Sequence, residues 1–415
     1  MTGTVNAGTA GRSAALLFAS LALGFVVTRV YASLLAVLAG PISAELDLSP
    51  AELGSVASAF PLVLAVVQPV NGVLLDRYGP ARIVPPLLML AIAGTAVFAF
   101  AQSQAMLFAG YAIIGLGVSA TLMGSLLALS MHAPPQRLAT LAGALMAVGG
   151  IGQLLTATPL AWLTELAGWR GAVLLITTLV IAAAAAIAIA VPHAAVEDRP
   201  RESWLRSFSG YLEVLREPGF IAVFALSCTS FPMLFAIRAL WAGPYMTSVF
   251  DLDDVAVGNV LLAMSVGMIV GTAGFGPLDR LVGSRKRVCL AGAVASVVVL
   301  LAMAMFTGHS VHLAVALLVL LGIVGTYDAV LLTHGRAMFP PRLAGRGLTA
   351  LNVGTFIGVG ILQAATGFLV DGLTALPGVT AADAYSVLFC LFAGFVGLGT
   401  IGYAFARDVP PGTVR

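Results

Sequence analysis

Arg29, Arg238 and Asp328 are the residues of this chain best placed to do chemistry, because each interrupts a long apolar run. A charge deep in hydrocarbon costs about 2.5–3.5 kcal/mol even on a lenient insertion scale, so it is kept for function or for pairing. A guanidinium presents a planar fork of donors that suits the oxygens of carboxylate, nitrate or phosphate. A buried carboxylate whose surroundings change can take up and release a proton. The competing reading is structural: Asp328 in a fixed ion pair with Arg29, Arg238 or Arg336, and either arginine on backbone carbonyls. Two deep cations against one deep acid favour an anionic ligand. His334 and Arg336 lie nearer a helix end, where long side chains snorkel to the surface.

The elements that carry these residues follow from composition. The 415-residue chain is 60% hydrophobic and 9% charged, with a mean hydropathy of +1.04, whereas soluble domains carry about 25% charged residues. A bilayer core about 30 Å thick needs about 20 apolar residues per helix. Such runs lie near 14–42, 51–74, 83–102, 105–131, 139–164, 171–191, 219–249, 255–278, 288–307, 313–338, 347–370 and 384–405. Strands are excluded at these lengths, because backbone groups in lipid must bond within their own segment or close into a barrel. The expected fold class is therefore all-α integral membrane, with about 12 transmembrane helices.

Orientation follows from the short loops. Arg77, Arg82, Arg137, Arg199, Arg216, Arg280, Arg285, Lys286, Arg342 and Arg407 fall on the side of the two termini, and only Arg170 falls opposite. The expected setting is the cell's inner (plasma) membrane, with both termini cytoplasmic. The first run follows Arg12 but is too long for a secretory signal and is read as a retained helix. Cys228, Cys289 and Cys390 all sit within apolar runs at spacings that suit neither a disulfide nor a metal. No nucleotide, metalloprotease or serine-hydrolase motif occurs, so neither an enzyme nor a cofactor is expected.

The chain also repeats itself in register. Ala39-Gly40-Pro41 returns as Ala242-Gly243-Pro244, an offset of 243 − 40 = 203. Asp47-Leu48 and Gly54 return as Asp251-Leu252 and Gly258, an offset of 251 − 47 = 204. Asp76-Arg77 returns as Asp279-Arg280, and Pro134-Pro135 before Arg137 as Pro340-Pro341 before Arg342. Two pseudo-symmetric six-helix bundles are expected, at 1–191 and 219–415, joined by a hydrophilic linker at 192–218. Within the linker Trp204, Phe208, Leu212 and Leu215 share one helical face, as in a helix lying on the membrane surface. Under the repeat Arg238 falls opposite Leu34 or Leu35, about one and a half turns from Arg29.

The loop Gly72-Val-Leu-Leu-Asp76-Arg77-Tyr78-Gly79-Pro80-Ala-Arg82, with its weaker copy Gly276-Pro-Leu-Asp279-Arg280-Leu-Val-Gly283, resembles the loop signature of the major facilitator superfamily. With the six-plus-six repeat, the resemblance covers essentially the whole chain. It implies the major facilitator fold, alternating access, and a central cavity lined by the first, fourth, seventh and tenth helices, where Arg29 and Arg238 would meet. It also makes the loop residues Gly72, Asp76, Arg77, Gly79, Asp279 and Arg280 a gating latch. Physically, Gly79 is needed for the tight turn, and Asp76 can accept bonds from helix N-termini and arginines. Nitrate and oxalate carriers of the superfamily likewise use central basic residues. The export subset's fifth-helix motif is absent, since Gly149-Gly150-Ile-Gly152 runs to Pro159 without it. Tyr111 stands where another family motif has a fourth-helix Arg.

Uncharged polar residues on cavity helices complete the candidates: Tyr31 and Ser33, Thr121 and Ser125, Trp241 and Tyr245, and above all Asn352 and Gln363, because amides facing lipid are unfavourable. Gly143, Gly149, Gly150, Gly152, Gly354, Gly358 and Gly360 permit close helix contact, as rocking surfaces would. The expected function is secondary active transport of a small anionic solute, with Arg29, Arg238, Tyr31, Asn352 and Gln363 at the substrate and Asp328 coupling a proton. Efflux of an amphipathic compound, or a non-transporting receptor on the same fold, is the alternative. The expected partners are the solute and membrane lipid, with no nucleic acid, and the expected state is a monomer.

Overall fold

The computed structural model describes residues 7–132, 135–192, 213–217, 219–340 and 343–409. These are helical throughout, and no strand occurs among the described residues. Among the described residues, eleven helices are long and apolar enough to cross a membrane. One of them, Thr158–Ala190, turns sharply at Gly168 (φ 67°, ψ 167°). Its first part continues the helix Pro135–Leu155, and the remainder forms a sixth span, so the described residues hold twelve spans, six in each half. Most of the linker at 192–218, with Trp204, Phe208 and Leu212, lies outside the described residues, as do Pro134 and Arg342.

The internal repeat marks matching backbone geometry. Asp47 and Asp251 both end a span in the left-handed region, at φ 51° and 57°. Ser49 and Asp253 then cap the next span by accepting from the backbone N–H of Glu52 and Ala256. Short polar side chains tolerate that left-handed stop and satisfy the first turn, so the hairpins are tight in both halves. The two signature loops also agree, with Gly79 at φ 78° and Gly283 at φ 68°. At Gly79 the pair φ 78°, ψ 161° is a region open to glycine alone. Gly79→Ala is expected to cost about 1–3 kcal/mol, read as a lower melting temperature in detergent, whereas Gly72→Ala, with open space at its Cβ position, is expected to cost far less.

Where the halves meet, glycine sets the distance. A Cβ at Gly54 on the second span would lie 2.5 Å from the Gln363 carbonyl and 2.8 Å from Gly367 Cα on the eleventh. A Cβ at Gly258 on the eighth span, Gly54's counterpart, would lie 3.0 Å from Thr158 Cα on the fifth. Beside it the Thr158 hydroxyl donates to Asn259 Oδ1 at 2.8 Å. A Cβ at Gly243 on the seventh span would lie 2.5 Å from the Ala36 carbonyl on the first. These contacts close the molecule on the face opposite the termini. The glycines expected as rocking surfaces behave differently. Gly149 and Gly152 pack on the first span and Gly358 on the seventh, each within its own half, while Gly143 faces open space and Gly360 crosses to Leu62.

On that far face Arg170 pairs with Glu45, stacks 4.1 Å over the Trp169 ring and donates to the Ala101 carbonyl at 2.8 Å. On the termini face Asp279 pairs with Arg285 at 3.4 Å inside its own half. His334 is fully buried there rather than snorkelling, with its ring nitrogens on the Tyr403 hydroxyl and, at 2.9 Å, the Arg407 carbonyl. Arg336 is exposed.

Candidate functional site

Two helix irregularities build the centre of the molecule. In the seventh span, Ser230–Ala236 runs into a π-helical turn, Ile237–Trp241, before the helix resumes at Ala242. Pro244 lacks an N–H, and its ring excludes the carbonyl of Leu240 from the ordinary ladder, so the wide turn is held in place by the sequence. Arg238 sits within it and is 1% exposed. In the fifth span, Pro159 breaks the helix after Leu155 in the same way. The Ala157 N–H turns to the Leu154 carbonyl at 3.2 Å. That releases the Gln153 carbonyl, which accepts from the Thr156 hydroxyl at 3.0 Å and from Arg238 Nη2 at 2.9 Å.

Arg238 thus reaches from one half to the other and also donates from Nε to Ser265 Oγ on the eighth span at 3.1 Å. Its Nη1 is buried with no partner. Arg29 arrives from the first span at the same level: a Cβ at Gly152 would lie 2.7 Å from Arg29 Cβ and 2.6 Å from the Val26 carbonyl. The Arg29 guanidinium lies 5.9 Å from the Phe25 ring centre, and its Nε is buried without a partner. Arg29 and Arg238 thus meet adjacent residues of the fifth span, Gly152 and Gln153. Neither forms an ion pair with a carboxylate among the described residues.

Asp328 opens the second half of the tenth span, Asp328–Met338, after a break at residues 325–327. Its Oδ1 is buried without a hydrogen-bond partner, and no ion pair reaches it among the described residues. The fixed salt bridge to Arg29, Arg238 or Arg336 is therefore not formed.

The other candidates divide. The Tyr31 hydroxyl bonds Thr95 on the third span, and Tyr111 donates to the Tyr31 carbonyl at 2.9 Å. Tyr31 is thus committed to the interior of its own bundle rather than to the arginines. Trp241 Nε1 donates to Thr366 Oγ1 at 2.8 Å, and Tyr245 lies in a cluster with Phe250, Tyr385 and Phe389. Gln363 is buried with Oε1 unpartnered, at the contact of the second and eleventh spans. Asn352 is half-buried on the same helix. At 1.5 Å per residue it lies about 16 Å nearer the termini face, so the two amides cannot both hold one small solute in one state.

Gln153 and Ser265 are the central residues that the sequence did not single out. Gln153 stood among glycines taken for a packing surface. Its signal was an amide in an apolar run six residues before a proline.

The long apolar helices make this a multi-pass membrane protein, with two central arginines that pair with no carboxylate among the described residues. The sequence matches the family model of the Major Facilitator Superfamily over residues 21–243, more than half of the chain, and the protein belongs to that superfamily. The fold is similar to that of the nucleoside transporter NupG, with a TM-score of 0.73 at 18% identity over 94% of this chain and 98% of that one. It is also similar to a bacterial homolog of the human lysosomal transporter Spinster in an inward-facing and occupied conformation, with a TM-score of 0.74 at 14% identity over 95% and 96%. At these identities the likeness is one of fold. Comparison with curated protein sequences finds no match.

Proposed function

We propose that this protein is a secondary active transporter that carries a small anionic solute, an organic carboxylate or an inorganic oxyanion, by alternating access. One observation carries the reading: Arg29 and Arg238 converge at mid-membrane, each with a buried unpartnered nitrogen, and no carboxylate among the described residues neutralises either. Two like charges in low dielectric repel, and an anion between them removes that cost while filling the free donors. The bundles 1–191 and 219–415 would rock about the layer where Arg238 meets the Gln153 carbonyl. With the basic loops placed in the cytoplasm, the contacts that close the far face support a state accessible from inside.

The test is uptake and counterflow in proteoliposomes against nitrate, phosphate, formate, acetate, oxalate and succinate. At least one of these is expected to be carried by wild type and lost in both Arg29→Ala and Arg238→Ala. Transport of an uncharged or cationic amphipath at full rate by both variants, with no anion carried, would establish the efflux alternative instead.

Asp328 is proposed as the coupling group, because an unpaired buried carboxylate next to a helix break can exchange its proton as the cavity opens and closes. Asp328→Asn keeps shape and removes titration. It is expected to retain counterflow while losing the stimulation of uptake by a proton gradient. If gradient-driven uptake survives unchanged, coupling runs elsewhere.

A further inference from the structure

Arg29 Nε and Arg238 Nη1 are not the only free donors in the central layer: Gln153 Nε2 is buried and unpartnered too. Gln153 is 5% exposed. Its own carbonyl holds Arg238 Nη2 at 2.9 Å, and the preceding residue, Gly152, lies against Arg29 Cβ and the Val26 carbonyl. Three buried nitrogens without a partner, two of them cationic, thus belong to side chains of three helices that meet at residues 152–153 of the fifth span. A buried donor without an acceptor is costly to keep, and here three such groups occur together.

We infer that Gln153 is a specificity-determining ligand of the transported anion, and that the site selects a group presenting only acceptor oxygens, such as an ionised carboxylate or nitrate. The inference rests on the reading of the central layer as an anion site and adds to it a third donor on a third helix. A guanidinium and an amide N–H both donate, so an oxygen that carries a proton would set donor against donor and bind less well. The placement also supplies a route from binding to motion. Gln153 and Arg29 belong to one half and Arg238 to the other, so an anion that engages all three ties the two halves together at this layer.

Gln153→Glu gives opposite outcomes for the two roles. Glu keeps the shape of Gln and places an anion beside the donors. If Gln153 faces the arginines, the carboxylate pairs with them. The melting temperature without ligand is then expected to rise by about 2 °C or more, and stabilisation by added anion, measured with the same panel, is expected to vanish. If Gln153 only packs, the variant buries an unpaired carboxylate and the melting temperature falls, which overturns the inference. Gln153→Leu supplies the kinetic check. Loss of one hydrogen bond to a charged ligand is expected to raise KM about tenfold or more with a smaller change in kcat. An unchanged KM and an intact anion-induced shift in that variant would also overturn it. Failure of the parent reading looks different: wild type itself neither binds nor carries any anion of the panel while Gln153→Glu still stabilises, and that result removes the oxyanion assignment together with the parent reading.

Discussion

Arg238→Ala is expected to lower kcat/KM for the carried anion by at least about a hundredfold, because hydrogen bonds to a charged group contribute about 1.5–3 kcal/mol each and the fork offers more than one. The same loss is expected for Arg29→Ala. Arg238→Lys keeps the charge, but one ammonium cannot reproduce the fork that meets Ser265 Oγ and the Gln153 carbonyl while leaving Nη1 free. A loss of about tenfold or more is expected there as well. The accompanying stability change discriminates between roles. A structural arginine, once removed, leaves its partners unsatisfied and lowers the melting temperature. Arg29 has no hydrogen bond or ion pair among the described residues and shares its layer with a second cation, Arg238. Arg29→Ala is therefore expected to hold or raise the melting temperature without ligand while transport is lost, as happens when a site keeps strained charge for binding. A marked fall in the melting temperature together with normal transport would refute the assignment.

The second large effect concerns the conformational cycle. Gly54→Val places side-chain atoms where the Gln363 carbonyl and Gly367 Cα already stand, and backbone cannot move aside as a flexible side chain can. Overpacking of this kind costs about 1–3 kcal/mol. Charged to one of two conformations only, that shifts their ratio by about 5- to 150-fold. The far face should then stay open, and the turnover rate should fall about tenfold or more with the protein still folded. The direct measurement is labelling of Ala36→Cys by a membrane-impermeant maleimide. Ala36 is buried where the first and seventh spans meet, so labelling from the far side is expected to be slow in the parent and fast with Gly54→Val. Gly258→Val should act in the same way, because the repeat places it at the corresponding contact of the eighth and fifth spans. Protected Ala36→Cys and normal turnover in either valine variant would mean that these glycines do not set the closed state.

How much of this was legible beforehand depended on the range of the interaction. Helix number, span positions and the two-fold repeat were readable, because burial in lipid acts on each run of about 20 residues by itself. Asp47 and Asp251 were visible as matching positions of the repeat, and Gly79 marked a turn, since backbone conformation is a local matter. Arg29, Arg238 and Asp328 were also readable as exceptions, because a charge in an apolar run is conspicuous whatever surrounds it. Their partners were not. Asp328 forms no salt bridge among the described residues, Tyr31 turns into its own bundle, and His334 is buried against Tyr403. Each of these depends on which face of a helix meets which neighbour, and a hydropathy run carries no record of that.

Gln153 shows the division most sharply. Its amide, the neighbouring glycines and Pro159 were all visible in the sequence, but the run 139–164 read as one unbroken span. That the break hands a carbonyl to an arginine 85 residues away, and leaves the amide buried without a partner, came only from the packing of the first, fifth and seventh spans. The sequence by itself determined a two-fold helical membrane protein with cations at its centre, because hydrophobicity and backbone chemistry are properties of short segments. The tertiary structure decided which donors are satisfied and which remain free. Satisfaction is a property of pairs distant in the chain, brought together only when the helices pack.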